Sequence, residues 1–152
     1  MTLTQKETDI LNDLKSQEQL CISKYEKYEN EACDPALKSI FHELRTVEEN
    51  HLSTVCKLLS GEEVTMASAP PAAASETYNG APSSCDKNGR DTDAFLCKDA
   101  LAMEKHVSSV YDTGIFEFSQ PPVRDTLAHI QKEEQNHGEK LYSYMSKNNM
   151  YS

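Results

Sequence analysis

The feature that most constrains this chain is an internal repeat. An offset of 86 residues carries Glu18 onto Glu104, Tyr25 onto Tyr111, Pro35 onto Pro121, Glu48 onto Glu134 and His51 onto His137, with no gap. Asp13 and Asp99, Ser23 and Ser109, Glu31 and Glu117, and Asn50 and Asn136 join the match, while most other positions differ. The repeat is weak as sequence and strong as pattern, and it implies two copies of one structural unit.

That unit is a pair of helices. Glycine and proline are scarce in the stretches 4–33, 35–59, 92–118 and 121–148, which are rich in Glu, Lys, Leu and Gln, the residues that lose least on entering a helix. Thr4 with Glu7 has the form of a capping box, and Asp34 before Pro35 supplies a side-chain acceptor followed by a preset φ. Pro121 and Pro122 open the fourth helix in the same manner. Between them, MASAPPAAASETYNGAPSS lacks apolar periodicity and reads as a partly disordered connection.

A lone helical hairpin cannot bury its apolar stripe, so the two copies must pack face to face. The expected fold is all-α, a four-helix bundle of two repeated antiparallel hairpins within one domain, 1–152: hairpin one over 4–59, a crossover over 60–91, and hairpin two over 92–148. Helices two and three are then parallel, and the crossover must run the length of the bundle. Roughly thirty residues reach about 100 Å when extended, against about 40 Å of helix, so the span is feasible.

Each helix carries one inward stripe at spacings of three and four. The stripes are Leu11, Leu14, Glu18, Cys21, Tyr25, Tyr28 and Ala32; Leu37, Phe41, Leu44, Glu48, His51, Val55 and Leu58; Cys97, Ala100, Glu104, Val107, Tyr111, Gly114 and Phe118; and Val123, Leu127, Ile130, Glu134, His137, Leu141 and Tyr144. Four carboxylates and two imidazoles interrupt otherwise largely apolar faces. They also share one level, because Glu18 precedes the first turn by about as many residues as Glu48 and His51 follow it, and the second hairpin has the same count.

Burying four ionised carboxylates together is costly unless something compensates them, and two divalent cations would do so while using their oxygens as ligands. One Glu from each of two helices and Glu-x-x-His from each of the others is the ligand pattern of di-iron and di-manganese bundles. Glu18, Glu48, His51, Glu104, Glu134 and His137 are therefore the expected ligands of two iron or manganese ions, oxygen-rich sets with one imidazole per metal disfavouring zinc and copper. Solvated glutamates beside two chance histidines are the alternative, and the inward placement argues against it. Tyr25 and Tyr111 stand on the same stripes, either as partners of ligand carboxylates and redox-active groups or as plain core residues. His42, His106 and His129 fall off the stripes and read as surface residues, while Glu31 and Glu117 flank them.

Composition excludes other classes. The net charge is -10, and the fifteen Lys and Arg residues lie scattered among acidic neighbours, which disfavours nucleic acid. No apolar run approaches membrane-spanning length, and the polar first residues show no export signal, so cytoplasmic synthesis is expected. Five cysteines without a CxxC pair indicate reduced thiols: Cys21 and Cys97 in the core, Cys33 at a turn, and Cys85 in an exposed linker, the one candidate for intermolecular cross-linking. Tyr142, Tyr144 and Tyr151 read as packing or tail residues that a coat could also cross-link.

The ligand residues resemble those of the ferritin-like superfamily, which includes rubrerythrin, bacterioferritin and manganese catalase. More narrowly, QEQLCISKYEKYENEACDPALKSIF and EKHVSSVYDTGIFEFSQPPVRDTLAHIQKEEQNHGEKLYSYM are similar to the spore coat F family. That resemblance implies a coat or sporulation role, with coat proteins or further copies of the chain as partners. A fifth helix that would build a storage cage is not expected, which disfavours bulk iron storage, and without CxxC pairs no internal electron donor is expected. Two functions follow: a coat-associated protein stabilised by its metals, or an oxidoreductase acting on peroxide or oxygen. Access discriminates them, and Tyr25, Tyr28 and Tyr111 are the expected residues to line or close a channel.

Overall fold

The computed structural model of the protein describes residues 1–64 and 77–151. Four helices make up the described secondary structure: α1 (Gln5–Glu31), α2 (Pro35–Leu59), α3 (Lys87–Glu117) and α4 (Pro121–Lys147). Helix α1 packs chiefly on α2 and α3 chiefly on α4; α1 with α3 and α2 with α4 close the bundle.

The caps form as the sequence predicts. Thr4 accepts from the Glu7 backbone N–H at 3.2 Å, and the Glu7 carboxylate accepts from the Thr4 N–H at 2.9 Å. Asp34 accepts from the Ala36 N–H at 3.0 Å with Pro35 opening α2, and Pro121 likewise opens α4. Every residue of the four predicted stripes is buried.

Two expectations fail. Helix α3 starts at Lys87 rather than at 92, capped by Asp86, whose carboxylate accepts from the Gly89 N–H at 2.8 Å. Gly89, within the stretch expected to be crossover, permits a close approach: a Cβ here would lie 2.6 Å from Cys33 Sγ. The thiols are not all reduced, because Cys33 and Cys85 are joined as a disulfide with Cα atoms 6.4 Å apart, within the usual bridging range. Cys85 therefore pairs within the chain, tying the end of the crossover to the α1–α2 turn. Cys21 and Cys97 are free and buried as expected.

Helix directions follow from the contacts. Ser119, after α3, meets Glu7 near the start of α1, and Asp93 near the start of α3 meets Cys33 after α1, so α1 and α3 are antiparallel and α2 and α3 parallel. The crossover leaves α2 near Met1, whose amino group donates to the Gly61 carbonyl at 3.4 Å, and rejoins the bundle at the opposite end by Cys33. Tyr78 and Ser83 bind it to α4's C-terminal half through Ser143 Oγ and Asn148 Oδ1, both at 2.7 Å. The segment expected to be disordered falls largely on 65–76, outside the described residues.

Two buried carboxylates, each one turn before the first residue of its predicted stripe, clasp the hairpins together. Glu7 accepts from the backbone N–H and hydroxyl of Ser119 at 3.2 and 3.3 Å. Asp93 accepts from the backbone N–H groups of Cys33 and Asp34 at 2.7 and 3.0 Å. Glu7 and Asp93, like Cys33 and Ser119, are related by the 86-residue offset. Each hairpin's leading helix thus satisfies turn donors of the other, the buried Asp34 N–H among them.

Candidate metal centre

At mid-height the four stripes bring all six predicted residues together. Glu18, Glu48, His51, Glu104, Glu134 and His137 are each no more than 5% exposed. Their geometry divides into two overlapping groups, Glu18, Glu48, His51 and Glu134, and Glu48, Glu104, Glu134 and His137, in each of which one ligating atom per residue lies within 4.8 Å of every other. Glu48 and Glu134 belong to both groups, whereas each of the other four belongs to one.

The imidazoles present Nδ1 to this cluster. His51 Nδ1 lies 3.0 Å from Glu134 Oε1 and 3.2 Å from Glu48 Oε2. His137 Nδ1 lies 3.0 Å from Glu48 Oε1 and 3.2 Å from Glu104 Oε1. The rings stack with centroids 6.1 Å apart. Tyr111 donates to Glu18 Oε1 at 2.5 Å, and Tyr25 donates to Glu104 Oε1, so the tyrosine of each hairpin holds a carboxylate of the other. Of the two sequence readings of these tyrosines, the hydrogen-bonding one describes the geometry.

Without cations the cluster must share protons. Burial pushes the Glu18 carboxyl up to about 11, with the charge of Glu48 adding to it. Burial also raises Glu104, to about 8, helped by Glu134 and opposed by His137. Glu48 moves upward through burial and its neighbours Glu134 and Glu104. Burial opposes ionisation of Glu134, but hydrogen bonds with Glu104, His137 and His51 outweigh it and hold this carboxyl well down. Both imidazoles are raised, burial being overcome by the surrounding carboxylates.

Even so, Glu18 Oε2, Glu104 Oε2 and Glu134 Oε2 are buried with no hydrogen-bond partner. Buried polar atoms are rarely left so. Three acceptors converge where a cation would find oxygen ligands, and the donor set as a whole, carboxylates with one imidazole in each group, suits a hard or borderline divalent ion.

Sequence periodicity missed Glu133 and misplaced His129. Glu133 Oε1 stands 3.6 Å from His51 Nε2, beyond hydrogen-bond range, and 2.8 Å from His129 Nε2. The His129 side chain is only 19% exposed, so it is not the free surface residue expected from its position off the stripe. The available signal was adjacency alone: Glu133 precedes Glu134, and His129 lies one turn before Glu133. His42 is more than half exposed and His106 exposed, as predicted.

Tyr25, Tyr28 and Tyr111, read from sequence as lining or closing a channel, are buried, with Tyr28 donating to Asp99. A groove of about 460 Å³ runs between α3 and α4, with Glu104 and Glu134 among the residues that line it. Tyr142 and Tyr151 stand at it with rings 4.9 Å apart in an edge-on pair, each about half exposed. Tyr144 is fully buried and donates to Asp34 Oδ2 at 2.6 Å, which removes it from the tyrosines a coat could cross-link.

Fold and site together define a helical bundle with an acidic, imidazole-containing interior. Residues 92–152 match the Coat F domain, which takes in nearly all of α3, α4 and the following residues. No curated protein and no solved structure matches the chain. Among the described residues no helix is long and apolar enough to cross a membrane.

Proposed function

We propose that this is a spore-coat-associated protein of the ferritin-like kind, built from two related hairpins, whose interior binds two iron or manganese ions. The observation that carries the reading is the pair of overlapping ligand groups with its three unpartnered carboxylate oxygens. One ion would be held by Glu18, His51, Glu48 and Glu134, the other by Glu104, His137, Glu48 and Glu134, so that the two shared glutamates bridge. The coat role rests on the Coat F domain match, and the ferritin-like reading on the ligand pattern and the offset-related clasps. Coat proteins or further copies of the chain are the proposed partners.

In this role the metals stabilise the fold by binding the native state alone. Metal per chain, measured by plasma mass spectrometry after purification without chelator, tests it. Two ions are expected in the wild type, neither in Glu48→Ala, whose carboxylate both sets share, and one in Glu18→Ala. A folded wild type that takes up no iron or manganese on reconstitution overturns the di-metal reading and leaves a metal-free bundle.

The groove to Glu104 and Glu134 favours a second reading, an oxidoreductase acting on peroxide or oxygen. Bound ions would supply the electron exchange; the chain's part is to hold the ligand carboxylates in place through Tyr25 and Tyr111 and to keep bulk water off the cluster. Peroxide disproportionation needs no outside reductant and is the reaction to assay. Turnover by the metal-loaded wild type, absent in Glu48→Ala, supports this reading, and no turnover by a fully loaded protein removes it.

A further inference from the structure

A groove lies beside one half of the centre. In the groove between α3 and α4, Gly138 and Ser108 line the space above Glu104 and Glu134. The 86-residue offset places Leu52 and Ile22 at the equivalent positions of the first hairpin, so larger aliphatic side chains stand there. Glycine within a helix is unfavourable, and packing does not demand it at 138: an added Cβ would meet Leu101 Cδ1 at 3.6 Å, ordinary contact. What glycine provides at this point of α4 is space.

Taking the di-metal reading as its basis, we infer that this groove is the entry to the centre, that it serves the Glu104–His137 half, and that Gly138 keeps it open to small uncharged molecules the size of water or hydrogen peroxide. Glu104 belongs to that half alone, whereas Glu18 and His51, the residues particular to the other half, do not line the groove. Leu101, Tyr142 and Tyr151 give it largely apolar walls, with Lys105 and Glu139 supplying opposite charges along them. The way in is shut in this structure, since Glu104 and Glu134 are 2% and 1% exposed, so entry requires side-chain movement above them.

The test is water access to bound manganese. Protein is loaded with Mn²⁺, metal content is measured on each sample, and the longitudinal relaxation of bulk water protons reports exchange with the paramagnetic ions. Gly138→Leu, which installs the residue found at 52, should lower the relaxation enhancement severalfold at equal manganese content, and Gly138→Ala should lower it less. Ser108→Ile, which installs the residue found at 22, fills the groove from the opposite helix and carries the test if Gly138→Leu fails to fold. Unchanged relaxation at equal manganese in the folded groove-filling variants overturns the inference and leaves the di-metal reading standing. Failure of the folded wild type to bind either manganese or iron brings down both.

Discussion

Tyr111 shows how one hydroxyl serves two ends. It is fully buried, and its O–H satisfies one oxygen of Glu18, whose other oxygen has no hydrogen-bond partner. Tyr111→Phe keeps the packing volume and leaves that carboxyl without a donor, which costs about 1–3 kcal/mol in a buried site. Urea unfolding of the metal-free protein should show that loss. The loss should shrink when manganese is present, because a cation gives the carboxylate a partner. Tyr25→Phe should cost less, since the Glu104 oxygen that Tyr25 holds also faces His137 Nδ1 at 3.2 Å.

Among the elements, the α1–α2 turn is where the crossover, α3 and the first hairpin are joined. Asp93 caps its backbone, Cys85 bridges to Cys33, and α3 approaches so closely that position 89 excludes a Cβ. Gly89→Ala gains helix propensity but presses on Cys33 Sγ, part of a disulfide that cannot swing aside. Overpacking of this sort destabilises by about 1–3 kcal/mol, so the net effect measured by denaturant should be a loss. The disulfide closes a loop with a sequence separation of 52 residues, for which about 2–4 kcal/mol of stabilisation is typical. Adding reductant, or substituting both cysteines by serine, should lower the melting temperature while leaving the helical circular dichroism signal intact below the transition.

For the whole molecule, the cluster makes stability depend on pH with a definite sign. Glu18 and Glu104 are raised from 4.5 to about 11 and about 8, and His51 and His137 well above 6.5. Across the neutral range the metal-free native protein therefore binds more protons than the unfolded chain, and its unfolding free energy falls as pH rises. Glu134 is shifted downward, so its contribution is lost only as pH falls below 4.5. The melting temperature of the metal-free protein should decline from about pH 5 to about pH 9, whereas metal affinity should increase, since each ion displaces protons from its ligands. A melting temperature that rises over this interval contradicts the burial of protonated carboxyls.

The chain's own pattern determined four helices, the caps that open α1 and α2, the inward stripes and the level shared by six polar residues, because helical periodicity and an 86-residue repeat are local properties that survive without coordinates. Tertiary structure alone decided the rest. The pairing of Cys33 with Cys85, the clasps of Glu7 and Asp93, and the approach of Glu133 to His51 depend on how elements distant in sequence are turned toward each other. Gly89 illustrates the limit: in sequence it falls in the stretch expected to be crossover, and only the sulfur opposite shows that it keeps a helix close. The groove beside Gly138 is of the same kind, an absence of side-chain atoms that becomes a space only when α3 and α4 are laid side by side.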